Sequence, residues 1–367
     1  MECTGKQTSH DHKHRIEEED EAITYAGVLS SSFILPMVLN ACIELNVLEI
    51  INKAGPDAQL PPYAIASQLP TGRNPDAPFI LDRMLHLLAS YSLLTCSVHT
   101  LEDGKVQRRY GLTLAGKCFI RSVDGGSLAP FSLFSRRQPI TNMGFHLKDA
   151  VLEGGFTFEK AHGMSLYQYS SVKDPTFGEA LVEAMAQHSA LITKQILKKY
   201  KGFEGLSSLV DVGGGIGTTL NLIISQYPSI KGINFDVSEV LRNAPSYNGI
   251  EHFAGNMFEE IPKGGAIMLK QIIHNWEDEE CLKILRNCYK AVPEKGKVIV
   301  IDPFVPVAPE TTLLGRFASQ YDNLMFCKLG GKERTENEFK ALAIAAGFSQ
   351  SRVACSACGY WVLEFKK

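Results

Sequence analysis

Two short stretches hold residue types that could carry chemistry. The first is KQIIHNWEDEECLKIL, residues 270–285, where an apolar run stops at His274 and an acidic, helix-like segment follows. An imidazole titrates near neutrality and can take or give a proton at physiological pH. Taken alone, the stretch is equally a turn carrying a solvated histidine. The second is LVDVGGGIGTTL, a β-rich run that passes through Gly213, Gly214, Gly215 and Gly217 into a helix-like segment. A glycine-rich turn at such a junction lets a ligand approach the backbone at a helix N-terminus.

The spacing of those glycines narrows the ligand. A dinucleotide fingerprint requires G-x-G-x-x-G. Counted from Gly213, the sixth position is Thr218, so that match fails and G-x-G-x-G remains. The shorter form suits an adenosyl ligand without a pyrophosphate, namely S-adenosylmethionine. Asp236 ends the next β-rich run, KGINFD, and its carboxylate can accept from both ribose hydroxyls. The alternative is a sharp turn with a surface aspartate.

Those residues need an α/β framework. SSLVDV, KGINFD, GIEHFAG, GAIMLKQI and GKVIVID are short β-rich runs, several separated by helical stretches. Such alternation predicts a parallel sheet covered on both faces. VACSAC and YWVLEF predict a final antiparallel pair about Gly359. Thr335 to Glu338 reads as a capping box, and Asn275, with acids just after it, as an N-cap.

The first third reads differently. Residues 18–51 predict helices, and SSSFILPMVLNACIELNVLEII is too apolar for an ordinary surface helix pair. It needs a partner, either the rest of the chain or another subunit. PPYAIASQLP and APFILDRMLHLLASYSLL predict two short helices, and TCSVHTLEDGKVQRRYGLT two strands joined at Asp103-Gly104. Helix, helix, hairpin is a winged-helix pattern. DNA binding would need polar and cationic side chains on the second helix. That helix offers Arg83 and His86 among Leu, Ile, Met and Ala, so a dimerisation platform fits better.

Length and composition bound the rest. A chain of 367 residues predicts two domains. The expected division is a disordered polar tail over 1–17, with His10, His12 and His14, a winged-helix dimerisation domain over 18–122, and connecting helices with the α/β domain over 123–367. A formal net charge of -3 argues against a general nucleic-acid binder. No apolar run reaches the ~18 residues of a membrane span, and the acidic N-terminus does not read as a signal peptide. Nine cysteines are scattered, and the one C-x-x-C, Cys355 to Cys358, has no second pair. Reduced thiols in the cytoplasm are expected.

Longer stretches carry a resemblance. FILPMVLNACIELNVLEII, NPDAPFILDRMLHLLASYSLLTCSV, DGKVQRRYGL, GFEGLSSLVDVGGG, HNWEDEECLKILRNCYKAVPEKGKVIV and GGKERTENEF, with KGINFD, resemble plant small-molecule O-methyltransferases of the caffeic-acid type. The resemblance covers nearly the whole chain after the polar tail. It implies a homodimer with interlocked N-terminal domains and a C-terminal Rossmann-like, S-adenosylmethionine-dependent methyltransferase domain. It implies cofactor contacts at Gly213, Asp236, Met257 and Lys270. At Asn256 the chain departs, because the family has an acid there that accepts from the adenine amine. An asparagine carbonyl can accept the same bond without charge assistance.

The resemblance also implies that His274 is the catalytic base, delivered by the fourth strand to the carboxyl edge of the sheet. A phenol with pKa about 10 is mostly protonated at neutral pH, and a base with pKa near 7 can remove its proton. The cofactor supplies the electrophile, so no metal is required. Two carboxylates would steer the histidine. Glu333 in GGKERT matches, while Asp302 in GKVIVIDP stands where the family has the longer Glu. The alternative for Asp302 is a strand-end turn residue before Pro303. Met185 and Met325 would sandwich the phenol ring beside Phe177, although methionine is also a common core residue. Gln271 replaces a Trp, Ser170 and Leu181 replace His and Phe, and Ser135 replaces an Asn. The expected activity is O-methylation of a phenolic hydroxyl on a plant metabolite, first a phenylpropanoid with adjacent ring oxygens. A flavonoid, coumarin, lignan or alkaloid phenol is the alternative. A DNA-binding or scaffold protein on the retained fold comes third.

Overall fold

The computed structural model describes residues 5–70, 72, 74–121 and 125–367, with side chains from residue 17 onward. The chain forms two compact units that divide between Ile120 and Arg121.

The N-terminal unit opens with the helix Gly5–Ser30. Most of the segment expected to be a disordered tail is therefore helical; residues 1–4 and the side chains of His10, His12 and His14 lie outside the described residues. The physical reason is local, because no Gly or Pro interrupts residues 6–26 and Glu, Lys, Arg and Ala favour helix. Helices Ile34–Glu44, Val47–Lys53, Pro62–Ala66 and Ala77–Ser90 follow. The hairpin of β1 (Leu94–Thr100) and β2 (Val106–Leu112) turns at Asp103-Gly104, where Gly104 has φ 77° and Asp103 Oδ1 accepts from the Lys105 N–H. Leu60 bridges to Tyr110, completing the winged-helix pattern. Leu39, Cys42, Ile43, Leu48 and Ile51 are buried, whereas Ile23, Leu29, Phe33 and Met37 are exposed. Among the described residues no single helix is long and apolar enough to cross a membrane; the bent pair Glu17–Ser30 and Ile34–Glu44 reaches that length and composition only jointly.

The C-terminal unit is a seven-stranded sheet in the order β5-β4-β3-β6-β7-β9-β8. The strands β3 (Ser208–Val212), β4 (Lys231–Asp236), β5 (Ile250–Ala254), β6 (Ala266–Lys270) and β7 (Lys297–Pro303) are parallel, and β8 (Gln350–Ala357) and β9 (Tyr360–Lys366) are antiparallel. Every β6 residue is buried, because alternate side chains serve different cores. Ile267 and Leu269 pack with Ile284, Leu285, Phe339 and Leu342. Ala266 and Met268 pack with Ile192, Ile196, Leu220 and Ile223 on the other face. The strand order reverses beside β3, since β4 lies on one side of it and β6 on the other. Open α/β sheets bind ligands at such switch points, outside the carboxyl ends of the strands.

Candidate active site

The glycine turn sits at that switch point. Gly213, Gly215 and Gly217 have φ of 67°, 60° and 85°, values that L side chains rarely adopt. A Cβ on Gly214 would lie 2.1 Å from Asn234 Oδ1 and 2.9 Å from Asp211 Oδ2, so the chain passes tightly over two buried polar groups. A Cβ on Gly215 would meet open space. The helix Thr218–Gln226 starts there. Asp236 ends β4 and accepts from the Gly215 N–H at 2.8 Å and the Val237 N–H at 2.7 Å. Burial raises its pKa, against the pull of those two bonds. Asn256, in the turn after β5, accepts from the Phe258 N–H at 3.0 Å and donates to Glu259 at 3.0 Å. The neighbouring Met257 packs on the core, and its carbonyl accepts from Asn287 at 2.9 Å.

Lys270 ends β6, where its ammonium donates to Ser189 Oγ at 2.8 Å and to Gln271 Oε1. Burial pushes it down to about 8, with the charges of Asp211 and Asp302 resisting. Asp211 is pushed up to about 7 by burial, and among the described residues its Oδ2 has no partner. Gln271 adopts φ 57°, an uncommon conformation for a residue with a side chain. Its amide donates to the Tyr360 hydroxyl at 3.3 Å.

The seam at His274 is tied to several elements around it. A short 3-10 turn, Ile273–Asn275, presents the imidazole, and Nδ1 lies 2.8 Å from Glu333 Oε1 with both side chains buried. Arg334, fully buried, donates to the carbonyls of Ile273 and Trp276, each at 2.8 Å, and pairs with Asp278 at 2.7 Å. Gly331 allows this approach, because a Cβ there would lie 2.1 Å from the His274 carbonyl oxygen. Trp276 packs against Phe258 and Tyr167 at 4.8 and 6.2 Å between centroids. On the other side, Ile272 abuts the glycine turn: a Cβ on Gly213 would lie 2.3 Å from its Cδ1. Desolvation pulls the His274 pKa down, but Glu333 and Asp302 outweigh it, leaving the imidazole above its ordinary value.

Asp302 lies near the end of β7, fully buried near His274, and among the described residues neither of its carboxylate oxygens has a hydrogen-bond partner. Burial pushes it up to about 7, with the His274 charge opposing. The side chain acts on the imidazole through its charge, and Glu333 alone makes the hydrogen bond. Asn275 is not the N-cap of the following helix. Glu277 caps Asp278–Ala291 in a box with Glu280, while the Asn275 amide returns to the Gln271 carbonyl at 3.0 Å.

The other expected pocket residues spread over three helices and a turn. Met325 is buried on the helix Leu313–Leu329, and Met185 is half-buried on Pro175–Lys199. Phe177 is fully buried in an aromatic core, 4.8 Å from Phe134 and 5.3 Å from Tyr169 between centroids. Ser170 sits in the π-helical turn Tyr169–Lys173, its hydroxyl donating to the Leu166 carbonyl at 2.7 Å. Ser135 donates to Phe131 in the same manner, at 2.9 Å. Sequence reasoning passed over Asp211, His188, Tyr321, Tyr360 and Arg334. One signal was available: His188 follows Met185, and Met325 follows Tyr321, at helical spacing.

A mostly parallel sheet with a glycine turn at its switch point, a buried His–Glu pair beside that turn, and a separate, mainly helical N-terminal unit define a Rossmann-like transferase class. The particular family is shown by comparison. The O-methyltransferase domain matches residues 145–349, and the O-methyltransferase dimerisation domain matches residues 28–122. O-methyltransferase 13 of Lophophora williamsii is 53% identical over 350 residues, covering 95% of this chain and 96% of that protein. Caffeic acid 3-O-methyltransferase of Prunus dulcis is also 53% identical, with 95% of each covered. Human N-acetylserotonin methyltransferase, solved in complex with SAM, shares the fold at a TM-score of 0.78 and 21% identity, covering 94% of this chain and 97% of that one. The chain belongs to the O-methyltransferase family.

Proposed function

We propose that the chain is an S-adenosylmethionine-dependent O-methyltransferase that methylates a phenolic hydroxyl of a phenylpropanoid. The observation that carries this reading is the buried His274–Glu333 pair, held at the carboxyl edge of the sheet on a turn that abuts the glycine turn. The full-length similarity to a caffeic acid 3-O-methyltransferase supports the substrate class.

The residues fit an adenosyl ligand. Gly215 faces open space, Asp211 Oδ2 is unpartnered beside the turn, and Asp236 ends the adjacent strand. Gly213, Asp236, Asn256, Met257 and Lys270 would hold the ligand; the Asn256 carbonyl keeps a lone pair beyond the one committed to Phe258. When bound, S-adenosylmethionine supplies an electrophilic methyl group. The protein supplies the base. His274 Nδ1–H donates to Glu333, which fixes the tautomer and leaves the Nε2 lone pair free for the phenol proton. Glu333 and Asp302 then stabilise the imidazolium. Met185 and Met325 flank the ring, with Gln271 and Ser170 tuning the choice of ring and Phe177 backing it.

The assembly is a homodimer in the cytoplasm. The exposed Ile23, Leu29, Phe33 and Met37 on the first two helices form the face that a second copy covers, and the cysteines among the described residues are free thiols. A panel of phenols with S-adenosylmethionine, read by mass spectrometry for a methyl-sized gain, tests the activity. No gain on any phenol by a protein that binds the cofactor would reject it. Light scattering tests the dimer, and a stable, active monomer would reject that part.

A further inference from the structure

Lys328 lies on the last turn of the helix Leu313–Leu329, three residues after Met325 and seven after Tyr321. At that spacing the three side chains share one helical face. Lys328 is only 7% exposed. Among the described residues its ammonium has no hydrogen bond and no ion pair. It stands over the rings of Phe131 and Phe134, 5.4 and 5.6 Å from their centroids. Burial pushes it down to about 8, and no carboxylate stands near enough to resist. A buried cation without an anion is costly, and proteins rarely keep one without a use.

The surroundings tie this lysine to the base. Phe131 stacks on His188 at 5.3 Å and faces Tyr321 at 6.4 Å. His188 is buried, one turn after Met185, and among the described residues its Nδ1 has no partner. Its Nε2 lies 3.4 Å from the hydroxyls of both Tyr321 and Tyr360. Tyr360 receives the Gln271 amide, three residues before His274. Burial, and then the charges of Lys270, Lys328 and His274, push the His188 pKa down to about 3, so its imidazole stays neutral. Lys328 and His274 thus both bear on one buried ring, that of His188. The two neighbouring acids, Glu333 and Asp302, bear on His274.

We propose that Lys328 is a specificity-determining residue that pairs with the carboxylate of a phenolic acid whose hydroxyl is presented to His274. The inference rests on the methyltransferase reading above and names the substrate as the free acid rather than its neutral derivatives. A buried ammonium with unmet pairing capacity rejects a ligand that cannot supply the anion.

The test uses a dihydroxycinnamic acid and its aldehyde, alcohol and methyl ester, with wild type, Lys328→Met and Lys328→Arg. Steady-state rates give kcat and KM, and calorimetry in the presence of S-adenosylhomocysteine gives Kd. The acid is expected to be the preferred ligand of the wild type. Lys328→Met should raise KM and Kd for the acid about tenfold or more beyond any change for the neutral three. Lys328→Arg should recover part of that contrast. Equal losses on all four compounds, or a wild type indifferent to the charge, would overturn the proposal. The wild-type comparison stands even if Lys328→Met fails to fold. If no phenol turns over, the methyl-transfer reading falls, while the calorimetric contrast still judges Lys328.

Discussion

The seam at His274 and the aromatic chamber around His188 are both buried and polar, but they are partnered in opposite ways. At the seam, Glu333 takes Nδ1, Arg334 takes two carbonyls of the turn, and Gly331 presses on the backbone. In the chamber, His188 Nδ1 has no partner and Lys328 rests on aromatic rings. A group that must move a proton gains from having its orientation fixed beforehand, because the cost of ordering it is met during folding. A group that must recognise a ligand gains from leaving its pairing capacity unmet until the ligand arrives. Asp302 resembles the chamber although it sits beside the seam, with two unpartnered oxygens.

The comparison breaks first at the base. His274→Ala should lower turnover by about 10²–10⁴-fold with cofactor affinity little changed. The protonated imidazole cannot accept, so wild-type activity should rise with pH. Because His274 sits above its ordinary value of 6.5, that rise should centre above pH 6.5. The variant should lose this limb and recover partly at high pH, where the phenol ionises unaided. Near-normal turnover at neutral pH would return His274 to the role of a polar turn residue.

Arg334→Met tests whether the seam is held by its clamp. It removes the guanidinium bonds to the Ile273 and Trp276 carbonyls, each charge-assisted and worth about 1.5–3 kcal/mol, and leaves those carbonyls the weaker Cys281 thiol, which recovers part of the loss, so chemical unfolding should show roughly 2–4 kcal/mol of destabilisation. A loss below about 0.5 kcal/mol would mean that water replaces the guanidinium without consequence.

Glu333→Gln keeps a hydrogen-bonding group at His274 but removes its charge. Turnover should fall about 10–100-fold, the span of one charge-assisted bond, and the rising limb should move to lower pH. A limb that stays in place would assign the raised imidazole pKa to another group.

Asp302→Asn should have the smallest effect on rate, below about tenfold, because no hydrogen bond to the base is lost. Its signature is in stability. The Asp302 pKa is raised to about 7 from an unfolded value near 3.9. The stability it contributes below the unfolded pKa is therefore lost as pH climbs toward 7. Denaturation from pH 4 to 7.5 should show the variant gaining on wild type across that window and levelling above it. A constant difference between the two would mean that Asp302 titrates normally.

The sequence made the strands after Ser207 legible, because each is a short apolar run bounded by glycine, proline or polar residues. The Thr335 capping box and the Asp103-Gly104 hairpin were readable for the same reason, since their bonds span three residues or fewer. Asn275 misled because the helix starts three residues beyond it, capped by Glu277, whose partner Glu280 closes the box. The tail misled because a polar composition suits both disorder and an exposed helix. Which face of a helix meets which neighbour is not written in spacing alone, so the packing of Phe177 against Phe134 was not readable.

By itself the sequence determined the order of elements, the glycine turn, the acid ending β4, and the placement of His274 where a strand runs out. All of these rest on contacts between near neighbours. The tertiary structure decided that Glu333, 59 residues away, takes Nδ1 while the Asp302 carboxylate has no partner among the described residues. It also decided that Lys328 is buried beside His188 rather than solvated at a helix end. Burial and pairing depend on which distant surfaces close over a side chain, and one methylene of reach or one turn of helix, invisible in a local pattern, selects between a bonded carboxylate and an unpartnered one.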